Sequence, residues 1–204
     1  PVPIFDGETL TGWRAEPASG SDSWSVEGGV IRGEGKADRL AYLVYAGDEE
    51  LGDFELEFSY RMVTDGNTGV ELRARVDKTG KRPFEGYHAD LGHVGIGAGI
   101  LGAWDFHFGK DTRKEFPCRR GTRLVIDGEG TARTEEIEGA VEVGEIKKRG
   151  WNRCRIVAGR CFQKTQMISR NNLAGHTVIV GRLQLDKLRA CVGNISGPKR
   201  CPGS

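Results

Sequence analysis

The stretch GYHAD places His88 and Asp90 two residues apart in a run that reads as a strand, and DGNTGVELRAR sets Glu71, Arg73 and Arg75 on alternate positions just after a turn. Side chains two apart along a strand share a face, so His88 and Asp90 point together while Tyr87, Ala89 and Leu91 point the other way. If that face also carries Glu71, Arg73 and Arg75, one groove gathers acceptors, cations and an imidazole, which suits a polar ligand. An imidazole titrates near ~6.5 and can take a proton at neutral pH. A carboxylate beside it can orient it or take the proton itself, and a guanidinium can hold charge that develops elsewhere. The same alternation marks any solvated sheet face, and for Glu71 and Arg75 both readings stand. Asn67, in the turn, either reaches the ligand or only supports left-handed backbone.

Other residues could join such a site. WDFHFGKD offers Trp104, whose ring could stack on a ligand, and His107 three residues on. Trp13, Trp24 and Trp151 are expected in the core. His93 and His107 could combine with Asp90 around a metal, but no tight ligand spacing is present, and no metal is assigned. GHVGIGAGILG at 92–102 holds five glycines without the Lys-Ser/Thr ending of a phosphate loop, and reads as a flexible loop beside a groove. The alternating Glu, Asp and Glu of a laminarinase-type glucanase is absent, which argues against a retaining glycosidase.

These residues need strands to position them. In DFELEFSYRM, Phe54, Leu56, Phe58, Tyr60 and Met62 alternate with Glu55, Glu57, Ser59 and Arg61. Val70, Leu72, Ala74 and Val76 repeat the pattern, so residues 53–76 read as one antiparallel hairpin with Phe54, Leu56, Phe58, Val70 and Leu72 buried and Glu55, Glu57, Glu71 and Arg73 outside. SWSVEGGVIRG reads as an earlier hairpin turning at Gly28 and Gly29. Further strands are expected at Leu40 to Tyr45, Tyr87 to Leu91, Arg123 to Asp127 and Trp151 to Val157, and DEELG at 48–52 could make one helical turn. Short strands at this density predict an all-β sandwich of two antiparallel sheets.

Composition agrees. The 204 residues are 37% hydrophobic, enough for one core, and 31 scattered glycines imply many turns. Thirty basic against 29 acidic side chains leave a formal charge of +1, a poor match to nucleic acid. No apolar run is long enough to span a bilayer. The start at PVPIFDGE, with neither a charged nor an apolar leader region, fits either a soluble chain or a mature form already trimmed, and the expected location is secreted or periplasmic. Cysteines at 118, 154, 161, 191 and 201 lack zinc-binding spacing, and the odd count leaves at least one thiol unpaired within the chain. Disulfides and free thiols both remain open.

Taken in order, IFDGETLTGWR, WSVEGGVIRGEG, DFELEFSYR, GNTGVELRAR, GYHAD and WNRCRIV give a chain that resembles the 3-keto-disaccharide hydrolase domain family. The resemblance implies a concanavalin A-like jelly roll. It extends through residue 157. The remainder, from about 158, departs from the family's closing motifs, so one domain is expected over 1–204 with an irregular C-terminal part. At position 88 this chain has His where the family has Glu or Gln after the tyrosine.

The resemblance also implies chemistry on sugars whose C3 hydroxyl has become a ketone. The ketone acidifies the C2 proton, so a base can remove it, an enolate forms, and the C1 substituent leaves; water addition completes a net hydrolysis. His88, Asp90 and Arg73 are the expected catalytic residues, with Asn67, Glu71, Trp104 and His107 binding the sugar. No cofactor is assigned. The rival expectation is a lectin-like module on the same sandwich, which binds sugar without cleaving it.

Overall fold

The computed structural model describes residues 2–35, 40–46, 53–80, 83–91, 102–107, 118–127, 129, 131–159, 162–168, 178–179 and 183–192, with backbone alone for 105–107, 162–168, 178–179 and 183–192. The expectations for 48–52 and 92–101 lie outside the described residues. Strands β1 (Val2–Pro3), β2 (Trp13–Glu16), β3 (Trp24–Glu27) and β4 (Val30–Gly33) come first. They are followed by β5 (Tyr42–Tyr45), β6 (Phe54–Met62), β7 (Gly69–Val76), β8 (Phe84–Asp90) and β9 (Trp104–His107). Then come β10 (Thr122–Ile126), β11 (Ala132–Glu136), β12 (Asn152–Gly159), β13 (Phe162–Ile168), β14 (Val178–Ile179) and β15 (Leu183–Val192).

They make the expected all-β architecture. One antiparallel sheet runs β13-β12-β6-β15-β4-β3, with β1 also on β15; the other runs β2-β5-β14-β7-β8-β9; β10 and β11 form a separate ribbon. No helix among the described residues is long and apolar enough to cross a membrane. The β3–β4 hairpin turns where expected: Gly28 and Gly29 have φ of 59° and 76°, the two positive values that a two-residue hairpin turn requires.

The core between the sheets joins Phe54, Leu56, Phe58, Tyr60, Met62, Cys154 and Ile156 from one side to Leu43, Val70, Leu72, Ala89 and Leu91 from the other. Of the apolar residues expected inside from the 53–76 alternation, Phe54, Leu56, Phe58, Tyr60, Met62, Val70 and Leu72 are buried, whereas Ala74 and Val76 are exposed because the ladder shifts register between Leu72 and Arg75. Each large side chain of this kind contributes roughly 1.5–3 kcal/mol on burial. Trp13 and Trp24 are also in the core, whereas Trp151 is not: Arg61 lies over its ring, 5.0 Å from the centroid, on the outer side of the seven-stranded sheet.

One expectation about the same stretch is corrected. Residues 53–76 are not a hairpin, because β6 pairs with β12 and β15 while β7 pairs with β8 and β14 in the other sheet. The segment between them crosses the sandwich, and Arg149 fixes it by donating to the Val63 carbonyl and the Asp65 carboxylate, each at 2.6 Å. Alternation is a property of one strand and carries no information about its partner.

The two cysteines with described side chains, Cys118 and Cys154, are free and buried, and burial pushes the Cys154 thiol well above its ordinary value. A thiol held neutral by burial is a poor nucleophile, so Cys154 serves the core as a small apolar side chain.

Candidate active site

Strand β8 is the spine of the site. Ala89 and Leu91 point into the core, so the pleat turns His88 and Asp90 to the opposite, outer face of the six-stranded sheet. Antiparallel register sets Glu71 of β7 directly opposite His88 and Gly69 opposite Asp90. The result is a buried row of three charged groups. His88 Nδ1 is 3.0 Å from Glu71 Oε2, and His88 Nε2 is 3.5 Å from Asp90 Oδ1, with side-chain exposures of 0% for Glu71, 5% for His88 and 7% for Asp90.

Burial by itself would lower the His88 pKa. Hydrogen bonding to Asp90 and Glu71 and the two carboxylate charges override it and raise the value to about 9. At neutral pH the ring is therefore an imidazolium that donates from both nitrogens and is not poised to accept a proton.

Glycine makes this arrangement possible. A Cβ at Gly69 would lie 2.1 Å from His88 Nε2 and 2.4 Å from Cε1, so the imidazole occupies the space that any other residue at 69 would fill. A Cβ at Gly86 would lie 2.7 Å from the Leu72 carbonyl oxygen and 3.1 Å from Glu71 Oε1. Asp90 is anchored through its backbone: its N–H donates to the Ala103 carbonyl and its carbonyl accepts from the Gly102 N–H. Next to it the Leu91 carbonyl accepts from the buried Tyr60 hydroxyl and its N–H donates to Thr68, so the end of β8 is tied to both sheets.

The other expected site residues are distributed differently. Arg73 is not on the His88 face. A bulge between Leu72 and Arg75 breaks the alternation there, and Arg73 takes a left-handed φ of 49°, the one positive value at a non-glycine position among the described residues. Its guanidinium lies 3.6 Å from Asp53, the residue just before β6 of the opposite sheet. Such backbone costs on the order of 1–3 kcal/mol. Arg75 pairs with Glu85 and is half exposed.

Glu71 was expected outside as a sugar contact; it is buried behind the imidazole instead, and Glu57, also expected outside, is buried beneath Arg153. Trp104 stands opposite Ala89 and packs against the core, so its ring is turned from the His88 face. Asn67 is exposed, two residues before Gly69 at the Asp90 end of the sheet, and its φ is not left-handed. His107 stands opposite Gly86 in the ladder, but its side chain, like all of His93, lies outside the described residues. Among the described residues, no group of three or more His, Cys, Asp or Glu could hold a metal ion.

Residues 1–160 match the 3-keto-alpha-glucoside-1,2-lyase-like domain. The chain belongs to that family. The match ends where the sequence resemblance ends, just past β12, and it contains every member of the buried row. Among solved structures, the exoplasmic/lumenal domain of VIP36 in its Ca2+/Man3GlcNAc-bound form is similar at a TM-score of 0.54 with 9% identity, covering 96% of this chain and 90% of that one. At that identity the likeness shows a shared lectin-type sandwich and no more. No curated protein matches the chain.

For this member of the 3-keto-alpha-glucoside-1,2-lyase-like family, the geometry contains features the sequence did not announce. Gly69 read as the end of a turn, although a glycine inside a strand, two residues before a buried carboxylate, is a signal of close approach. Asp53 gave no signal at all, because its partner Arg73 reaches it only through the bulge.

Proposed function

We propose that the protein is a carbohydrate-active lyase or hydrolase that cleaves 3-keto-glycosides, with Asp90 as the base that removes the C2 proton. The single observation that carries this reading is the buried Glu71–His88–Asp90 row, which lies within the family-matching part of the chain. Of its two carboxylates Asp90 sits at the end of its strand and keeps the greater exposure, so it is the one a substrate can reach. His88, already protonated, supplies the positive charge earlier expected of Arg73.

Asp90 takes the proton from C2, and the C–H electrons become the C2=C3 bond of an enolate whose oxygen is the former ketone. Collapse of the enolate restores the ketone, forms the C1=C2 double bond and expels the C1 oxygen, which leaves as an alcohol by taking the proton that Asp90 removed from C2 and so returns Asp90 to its carboxylate form. Addition of water across C1=C2 then converts the lyase product to the hydrolysis product. A cation within the site lowers the energy of the enolate, the role usually given to an oxyanion hole. Raising the C2 acidity through the ketone is what lets a carboxylate serve as base.

The test is incubation of the protein with a 3-keto-disaccharide in heavy water. The expected outcome is release of a free keto sugar or its unsaturated product, with deuterium at C2 wherever water has re-added. A protein that binds the disaccharide and releases nothing would be the lectin-like module instead, a reading that the sandwich shared with a sugar-bound lectin domain keeps specific.

A further inference from the structure

Glu71 cannot touch a sugar from where it sits, yet its carboxylate faces the imidazole at hydrogen-bond distance while Asp90 is farther off on the other side. From this geometry we infer that Glu71 is a positioning residue: it holds His88 in one orientation against Asp90, in a space that Gly69 leaves open. The chemical use of this row rests on the function proposed above; the positioning does not.

Three observations converge. First, Glu71 and His88 are directly opposed across β7 and β8, so the contact is set by register and needs no loop to form it. Second, Nδ1 is committed to Glu71, which leaves Nε2 as the nitrogen that faces Asp90 and any bound group. A ring with one nitrogen fixed this way has one orientation, as imidazoles held by a carboxylate do at other sites. Third, the ring lies over Gly69 so closely that a methyl group there would overlap it, which shows that the space was kept for the imidazole and not for a side chain from β7. Among the described side chains, the charged groups facing the ring are Glu71 from β7 and Asp90 on its own strand.

The decisive measurement is a titration of the histidine ring nitrogens by NMR in protein labelled at histidine, without substrate, with His88→Asn used to assign the His88 signals. In the unaltered protein His88 is expected to stay protonated to about pH 9, with a slowly exchanging Nδ1 proton. Glu71→Gln keeps an acceptor but loses the charge, so proton affinity at His88 should fall at least tenfold. Gly69→Ala keeps every charge but displaces the ring from Asp90, and should lower the affinity as well; it carries the test if Glu71→Gln does not fold. A His88 titration within threefold of the unaltered protein in a folded variant overturns the inference.

Turnover of a 3-keto-disaccharide supplies an independent reading. Glu71→Gln should lower kcat with KM nearly unchanged and bring the alkaline fall in rate to lower pH. An unaltered protein that turns over nothing would refute the proposed function, while the titration would still decide the role of Glu71.

Discussion

On the seven-stranded sheet, Glu55 meets Arg155 and Glu57 meets Arg153, carboxylates of β6 answered one for one by guanidinium groups of the neighbouring β12. On the outer face of the six-stranded sheet, two carboxylates share one imidazole. The first face is a ladder of complementary charge, its arginines about one-third exposed, and needs no ligand to satisfy it. The second is buried, carries one more negative than positive group, and depends on glycine to fit together. Alternating charge on a strand therefore has two fates, and what separates them is the residue type on the next strand. Long cations that reach solvent make a surface, whereas a short titratable ring under cover makes a reactive environment.

The difference can be broken most visibly by pH. His88 titrates near 6.5 when unfolded and at about 9 when folded, so its stabilisation is complete below pH 6.5, is lost as pH rises between 6.5 and 9, and is gone above. At about 1.4 kcal/mol per tenfold, that window corresponds to about 3 kcal/mol. We expect denaturant unfolding to show this fall in the unaltered protein and in Glu57→Gln, and to lose it in His88→Asn. A stability that stays flat from pH 6.5 to 9 in the unaltered protein would show that the imidazole is not held by its carboxylates.

A smaller effect is expected on the other sheet. A double-mutant cycle between Glu55 and Arg155 should give a coupling of about 1 kcal/mol or less that shrinks with added salt, as for other partly exposed ion pairs. A salt-insensitive coupling several times larger would mean that the ladder is as structurally committed as the buried row, and the contrast between the faces would disappear.

Much of this was legible in the residues. The period of two from Phe54 to Met62 identified a strand with one core face, and GYHAD placed His88 and Asp90 together because only the pleat is needed for that. What the sequence left open is what depends on neighbours. Whether Glu57 and Glu71 are wet or covered is decided by Arg153 and by the imidazole, which come from other strands. Trp104 faces the core because β9 pairs with β8 in a register that no local pattern reveals. Arg73 leaves the site because of a bulge at a non-glycine residue, and nothing in LRAR marks it. The family match ends at residue 160, yet β15 runs between β6 and β4 in the seven-stranded sheet, where pairing on both sides covers edges that would otherwise be open.

Turnover of a 3-keto-disaccharide in two variants of equal charge change, Asp90→Asn and Glu55→Gln, decides whether chemistry occurs at the buried row and not at the charged ladder. Asp90→Asn is expected to lose roughly 10²- to 10⁴-fold in kcat with folding intact, the usual scale for a missing base, and Glu55→Gln to stay within a few fold of the unaltered protein. Asp90→Asn turning over as fast as the unaltered protein, or the two variants losing activity equally, would contradict that placement.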